Sequence, residues 1–507
     1  MKLYYITTPL YYVNDRPHIG TAYSTIMADI FNRYHRLFGE KTFFMTGTDE
    51  HGQKCQQAAE KRRMKPQAHC DDMVQHFKMA WENLEIDYNF FFRTTEDFHK
   101  KAVQLVLAEL WEKGEIYENT YEGWYCVSEE IFYTEKELVD GKSPSGKEVQ
   151  WISEKNYFFK MSQYQQALVD HIEKNEGFIQ PESRKNEVLG FLRQPLSDLC
   201  ISRPKSRLSW GIEVPFDTKY ITYVWFDALL NYATGVGLHQ SEYKEDFNTW
   251  WRKAGAVHLL GKDILTTHAV YWPTMLMAMG LPLPKTIFAH GWILNKDNDK
   301  MSKSAGEVIN PLDVKDLVGI DAFRYFLVRD IHFGNDAPFS QELVINRVNT
   351  DLANNLGNLL SRSANLIDKY FDGKAPAGSA DDELTNKVIA VAKGTAEKVR
   401  IDIERMAPSY ALEHVVTLLN EANRFLEEKA PWKQAKENRA SAGQSLYTAI
   451  ECLRIAAILL SPVMPLKMAD LLERLGGGRV DFALAKKWGI IPQGAQILKG
   501  EALFPRI

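Results

Sequence analysis

The sequence predicts an α/β domain built on an open parallel sheet, interrupted by an inserted subdomain and followed by an all-α helical bundle. Three observations carry this. In the first half, short β-branched or aromatic runs alternate with longer amphipathic segments, as parallel strands joined by helices do. Residues about 117–215 break that alternation: they are rich in Tyr, Trp and Phe, with turn signals such as DGKSPSGK. From about Gln341 onward, long segments of 3.6-residue periodicity with short joints take over, the pattern of packed helices.

Taken in order, Leu3–Thr7 reads as the first strand and Ala22–Leu37 as a helix, with Ala22, Ile26, Ile30, Tyr34 and Leu37 on its apolar face. Thr42–Met45 is the next strand. Val257–Leu260 and Thr286–Ala289 are strand-like beyond the insertion, each followed by polar residues. The helical half divides into Val344–Tyr370, Asp382–Glu404, Ser409–Lys429 and Ala442–Leu459. At 507 residues the chain is too long for one ordinary domain. Its 45% hydrophobic and 25% charged residues exclude a disordered or fibrous chain. The five cysteines (Cys55, Cys70, Cys126, Cys200 and Cys452) include no closely spaced pair, and their odd number argues against a disulfide framework. The N-terminus lacks the build of a signal peptide, and the best apolar run, Ile455–Leu460, is cut at Pro462. The expectation is a cytoplasmic, reduced protein with no membrane partner. A net charge of −5 gives no overall sign of nucleic-acid binding, although the helical half is mildly basic.

Ligands of open parallel sheets bind beyond the carboxyl ends of the strands, and polar clusters fall there four times. They are His18-Ile19-Gly20-Thr21 after the first strand and Thr46-Gly47-Thr48-Asp49-Glu50-His51-Gly52 after the second. The third is Gly261-Lys262-Asp263 with His268 shortly after, and the fourth His290-Gly291-Trp292 leading into Lys300-Met301-Ser302-Lys303-Ser304. Taken alone, His18 and Gly20 could be a capped helix with a turn glycine, and the two lysines a solvated loop. Together they suit a polyphosphate. Glycine lets the backbone approach, a helix N-terminus offers N–H groups and a positive dipole end, and a basic loop can close over the anion.

His18-Ile19-Gly20 and Lys300–Ser304 resemble the HIGH and KMSKS signatures of class I aminoacyl-tRNA synthetases. TTPLYYVNDRPHIG, FFMTGTDEHG, TYVWFDALLNY, GKDILTTHAVYWP and NNLGNLLSR resemble the methionyl-tRNA synthetase family, from about Leu3 to Leu460. The resemblance implies a Rossmann-like sheet in residues 1–116 and 216–300 and a connective-peptide subdomain in 117–215. It implies a KMSKS and stem-contact region in 301–345 and an anticodon-binding helical domain in 346–507. It also implies activation of methionine by ATP with Mg²⁺, then transfer to tRNA-Met. His18, Gly20, Thr21, Lys300 and Lys303 are the implied catalytic residues, and His290, Gly291 and Trp292 complete the ATP site. Leu10, Tyr12, Trp225, Ala228, Leu229, Tyr232, Ile264 and His268 would hold the methionine side chain, with Asp49 facing its ammonium. Asn358, Arg362 and Trp432 match the positions that read the CAU anticodon. Removal of Lys303 (Lys303→Ala) is expected to slow adenylate formation far more than it weakens methionine binding, as pyrophosphate exchange against methionine titration would show.

Two departures stand out. The family's second histidine is Thr21 here. Where relatives carry zinc knuckles, Cys126-Val127-Ser128-Glu129 and Ser143-Pro144-Ser145-Gly146 offer one cysteine, too few for a tetrahedral site. No metal centre and no zinc are expected, with turns and the aromatics Trp124, Tyr125, Phe132 and Tyr133 in its place. No dimerising domain is visible, so a monomer is expected. The alternative, a non-catalytic RNA-binding paralogue, would be expected to have lost His18 or the lysines.

Overall fold

The strands, in chain order, begin with β1 (Leu3–Tyr12), β2 (Lys41–Asp49) and β3 (Phe90–Arg93). β4 (Ile116–Cys126), β5 (Ile131–Tyr133), β6 (Gln150–Phe159), β7 (Ile179–Gln180) and β8 (Leu199–Cys200) follow. β9 (Ser202–Pro204) pairs with β10 (Tyr220–Thr222), and β11 (Ala256–Gly261) and β12 (Thr286–His290) come last of those that matter to the site. The computed structural model describes residues 1–507 except 130, 296–298, 300, 302–308 and 379–381. Among the described residues, six strands form one parallel sheet in the order β3-β2-β1-β11-β12-β7.

β1 is central and buried along most of its length, which is why LYYITTPLYY is apolar or aromatic on both faces. It runs five residues past its expected end. Pro9 cannot donate to a ladder, yet the pairing with β2 absorbs it in a register shift between Thr7 and Leu10 and resumes at Leu10↔Gly47. The chain moves from β1 through β2 to β3 on one side and returns through β11 and β12 on the other. The crevice between the carboxyl ends of β1 and β11 is therefore the topological switch point.

Residues from 116 to 200 form a second, antiparallel sheet in the order β5-β4-β6-β8. The segment expected to be purely insertion nevertheless lends β7 to the main sheet, where Ile179 and Gln180 pair with Ile287 and Phe288. A two-residue strand ahead of Pro181 leaves no periodicity to detect.

The helical half contains Glu383–Glu404, Pro408–Lys429 and Arg439–Leu460 close to their expected bounds. The expected helix at Val344–Tyr370 is one rod from Gln341 to Phe371 whose middle, Val348–Gly357, is wound as a π-helix. Arg439–Leu460 is apolar and long enough to cross a bilayer, but 94% of its most apolar stretch is buried among its neighbours, as a bundle's central helix should be. Arg324, fully buried, ties the two halves together. Its guanidinium reaches Asp29 Oδ2 (2.6 Å) and the carbonyls of Leu84 (3.2 Å), Pro462 (3.0 Å) and Val463 (2.8 Å).

Candidate active site

The Ile19–Leu37 helix starts inside the first polar cluster, ahead of the expected Ala22, because His18 caps it. The imidazole Nδ1 accepts the Gly20 N–H at 3.1 Å, so the proton of the neutral ring sits on Nε2. Thr21 closes the reciprocal half of the cap. Its hydroxyl oxygen accepts the His18 N–H at 3.0 Å and donates to His18 O at 2.8 Å. Where relatives use a second histidine, this chain has a side chain that shapes the turn around the first. A Cβ at Gly20 would lie 3.0 Å from the His18 ring, so only a glycine leaves that ring its place.

His290, at the end of β12, faces the same helix. Ser24 Oγ lies 2.7 Å from its Nε2 and Gly291 O lies 2.7 Å from its Nδ1. Burial lowers its pKa, so a neutral ring donates from Nδ1 and accepts from Ser24. Gly291 packs against the backbone of Asn335 and Asp336, with carbonyl carbon only 2.2 Å from where a Cβ would stand. Asp336 accepts the Trp292 N–H (2.8 Å) and pairs with Lys262 (2.6 Å), whose ammonium lies 4.1 Å from the Trp292 ring centre. Lys300, Ser302, Lys303 and Ser304 lie outside the described residues. The segment's flanks do not. Met301 packs against the core, and Ile309 O accepts the Ile19 N–H at 3.1 Å, directly beside His18. The described chain just beyond the second signature thus comes back to the helix N-terminus that His18 caps.

The other end of the crevice is aromatic. Tyr232 OH is 2.7 Å from His268 Nε2, and His268 Nδ1 is 2.9 Å from Ile264 O. Burial depresses the His268 pKa to about 4, so the ring is neutral, donating to Ile264 O and accepting from Tyr232. Trp225 stands edge-on to His268 (6.0 Å) and to Tyr12 (6.4 Å). Ala228, Leu229 and Tyr232 are buried. Leu10, Tyr12, Trp225 and Ile264 are partly buried against the same core, and Asp49 is buried at the carboxyl end of β2. The lining is apolar and aromatic, with one carboxylate at its edge. Such a slot suits a long polarisable side chain bearing a cationic group. The sequence reading missed the support behind it. His258, on β11, contacts Thr7 Oγ1 (2.8 Å) and accepts the Trp272 indole N–H (3.1 Å), and its ring packs at a tilt against Tyr232 with centroids 4.1 Å apart. Asp227 takes hydrogen bonds from both His51 and His99. A single carboxylate inside the apolar run VWFDALL was the available signal.

In the helical half, Arg362 stacks over Trp432 at 5.2 Å and pairs with Glu427 at 2.6 Å, while Asn358 is exposed one turn before Arg362. Behind them the amides of Asn355, Asn420 and Asn423 interlock at 2.7 Å, packing the π-helical stretch on its neighbour. In the antiparallel sheet, Cys126 Sγ lies 3.2 Å from Ser128 Oγ. Glu129 accepts from Tyr133 OH (2.8 Å) and from Ser145, which contacts Ser143 at 3.2 Å. Burial alone would raise the Glu129 carboxyl pKa, but hydrogen bonds from Ser145 and Tyr133 hold it below the ordinary value. The two turns that offer too few zinc ligands are joined by this polar knot. Trp124 and Trp151 meet edge-on at 5.4 Å beside it. Among the described residues, no three His, Cys, Asp or Glu side chains converge as a metal site.

Residues 4–150 and 135–364 match the family description "tRNA synthetases class I (M)", and residues 375–507 match the anticodon binding domain of methionyl tRNA ligase. A methionine–tRNA ligase of Caldanaerobacter subterraneus is 45% identical over 511 aligned positions, which cover 100% of this chain and 79% of that one. One of Clostridium tetani is 44% identical with the same coverage. Mycobacterium tuberculosis methionyl-tRNA synthetase in complex with methionyl-adenylate superposes with a TM-score of 0.95 at 38% identity, over 100% of both chains. Its free form gives 0.87 at 36% identity, covering 100% of this chain and 98% of that one. With this likeness running the whole length, the chain belongs to the methionyl-tRNA synthetase family of class I aminoacyl-tRNA synthetases.

Proposed function

We propose that this protein activates methionine with ATP and charges tRNA-Met. The methionine carboxylate attacks the α-phosphorus of ATP and pyrophosphate leaves. The terminal ribose hydroxyl of the tRNA then attacks the carbonyl carbon of methionyl-adenylate and AMP leaves. The substrates supply both nucleophiles, so the protein positions them and stabilises charge. In this reading His18 and the helix N-terminus it caps hold the phosphates, and Gly20 and Thr21 hold His18. Gly291, His290 and Trp292 border the nucleotide, and Lys300 and Lys303 neutralise the departing pyrophosphate. Leu10, Tyr12, Trp225, Ala228, Leu229, Tyr232, Ile264 and His268 line the methionine slot, with Asp49 against the ammonium. The Mg²⁺ would travel on the polyphosphate, since the described residues offer it no cluster of side-chain ligands.

The single observation that supports the reading best is the hydrogen bond from Ile19 to Ile309, which ties the chain just beyond Ser304 to the helix that His18 caps. Methionine-dependent exchange of labelled pyrophosphate into ATP tests it, followed by charging of tRNA-Met. A paralogue that only binds RNA would give no exchange.

The CAU anticodon, a monomeric state and a cytoplasmic setting belong to the same proposal. The stack of Arg362 on Trp432, with Asn358 exposed nearby, is a platform on which an unstacked base could be held and its edge read. So does the absence of zinc. Elemental analysis of the purified protein is expected to find far less than one zinc per chain, and EDTA to leave its melting temperature unchanged. Stoichiometric zinc would show that Cys126 and Glu129 recruit ligands beyond the hydrogen-bonded knot.

A further inference from the structure

We infer that Asp227, gripped between His51 and His99, is a positioning residue that fastens the ammonium-binding loop of the methionine pocket to its aromatic wall. The inference rests on the pocket proposed above. The Asp227 carboxylate is fully buried. Its Oδ2 lies 2.7 Å from His51 Nδ1 and its Oδ1 2.8 Å from His99 Nε2. His99 Nδ1 is in turn 2.8 Å from Thr234 Oγ1.

Four separate pieces of chain meet here. His51 sits in the turn after β2, two residues beyond Asp49. Asp227 is on the Val224–Leu229 helix, two residues after Trp225 and next to Ala228. His99 comes from the Asp97–Glu112 helix and Thr234 from Asn231–Thr234. The His51 ring also stands edge-on to Trp210 at 5.4 Å. A carboxylate with two N–H donors on opposite oxygens has little freedom to turn. Displacing either the Asp49 loop or the Trp225 helix would strand a buried charge. Burial would raise the Asp227 pKa, but the two histidines hold it below the usual carboxylate range, so the anion persists.

Removal should therefore act on methionine and spare ATP. Asp227→Ala is expected to raise the methionine KM in pyrophosphate exchange by about tenfold or more and to move the ATP KM less than about twofold. Asp227→Asn should recover most of this. Its amide oxygen accepts from His51, its amide nitrogen donates to His99 Nε2, and His99 shifts its proton to Nδ1, where the Thr234 hydroxyl can accept it. A folded Asp227→Ala protein with an unmoved methionine KM overturns the inference, and so does an equal rise in both KM values. Failure of Asp227→Asn to recover any of the loss overturns it as well. If Asp227→Ala does not fold, His99→Gln serves instead: a rise confined to the methionine KM supports the inference and no rise overturns it. Trp225→Ala separates the two readings. If it raises the methionine KM while Asp227→Ala does not, the fastening fails and the pocket stands. If it leaves that KM unchanged, the pocket itself is misassigned.

Discussion

Replacing His18 by asparagine is expected to leave the protein as stable as its parent and to slow methionyl-adenylate formation roughly 10²–10³-fold. The imidazole has two tasks, and the substitution removes one. Nδ1 takes the Gly20 N–H and caps the Ile19–Leu37 helix. Asparagine ranks among the best N-cap residues, so this contact survives. Nε2 carries the ring's proton. A capping asparagine still donates from Nδ2, but that atom sits one bond from Cγ rather than across a ring. It would fall short of the α-phosphate that the proposed function places beyond Nε2. His18→Ala would lose both, with a further stability cost of about 1 kcal/mol for the cap. A melting curve and a single-turnover measurement of adenylate formation separate the two tasks. If His18→Asn keeps the parental rate, phosphate stabilisation belongs to other groups at this helix end.

That two-sided role shows where sequence reading reaches its limit. His18, Gly20 and the HGW cluster were legible because they are polar residues at strand ends, where a parallel sheet exposes its ligands. Their convergence was predictable from topology. What Thr21 does was not. A hydroxyl three residues after a cap can donate outward to a ligand or turn back on the cap, and only the fold shows it turning back. The aromatic slot was legible from its motifs, whereas His258 and Asp227 act on it from behind and hold no position on a periodic pattern. The first strand, expected over Leu3–Thr7, runs on to Tyr12 because a register shift between Thr7 and Leu10 carries the ladder past Pro9. The helix from Gln341 was read as regular because its apolar periodicity survives the π-helical stretch at Val348–Gly357. Lys300 and Lys303, the plainest letters in the sequence, fall outside the described residues.

Arg324→Ala is expected to have the largest effect on stability, about 3–5 kcal/mol, because it removes one partner from a buried ionic network. Arg324, flanked by Phe323 and Tyr325 on the Ile320–Arg329 helix, is completely buried. Its loss strands Asp29, which keeps only Arg33 (2.8 Å) and the Asp87 N–H (2.9 Å), together with the carbonyls of Pro462 and Val463. Arg33→Ala should cost less than Arg324→Ala, because its side chain is one-fifth exposed and its loss leaves Asp29 paired with Arg324. The consequence reaches function through geometry. Asp29 lies on the helix that His18 caps, while Pro462 and Val463 follow the central helix of the bundle. Arg324 thus holds the helix that His18 caps and the helical domain in one frame. At temperatures where Arg324→Ala still folds, tRNA charging should fall further than pyrophosphate exchange, because only charging needs both domains aligned on one tRNA. Urea unfolding followed by the two assays measures each part. Replacing Asp29 and Arg324 together by Leu and Met should regain only part of the stability lost, since it removes the stranded charge but leaves the carbonyls of Pro462 and Val463, the Asp87 N–H and Arg33 without these partners. If Arg324→Ala unfolds at the parental urea concentration, the network contributes nothing net, and the packing of apolar helix faces alone joins the two halves.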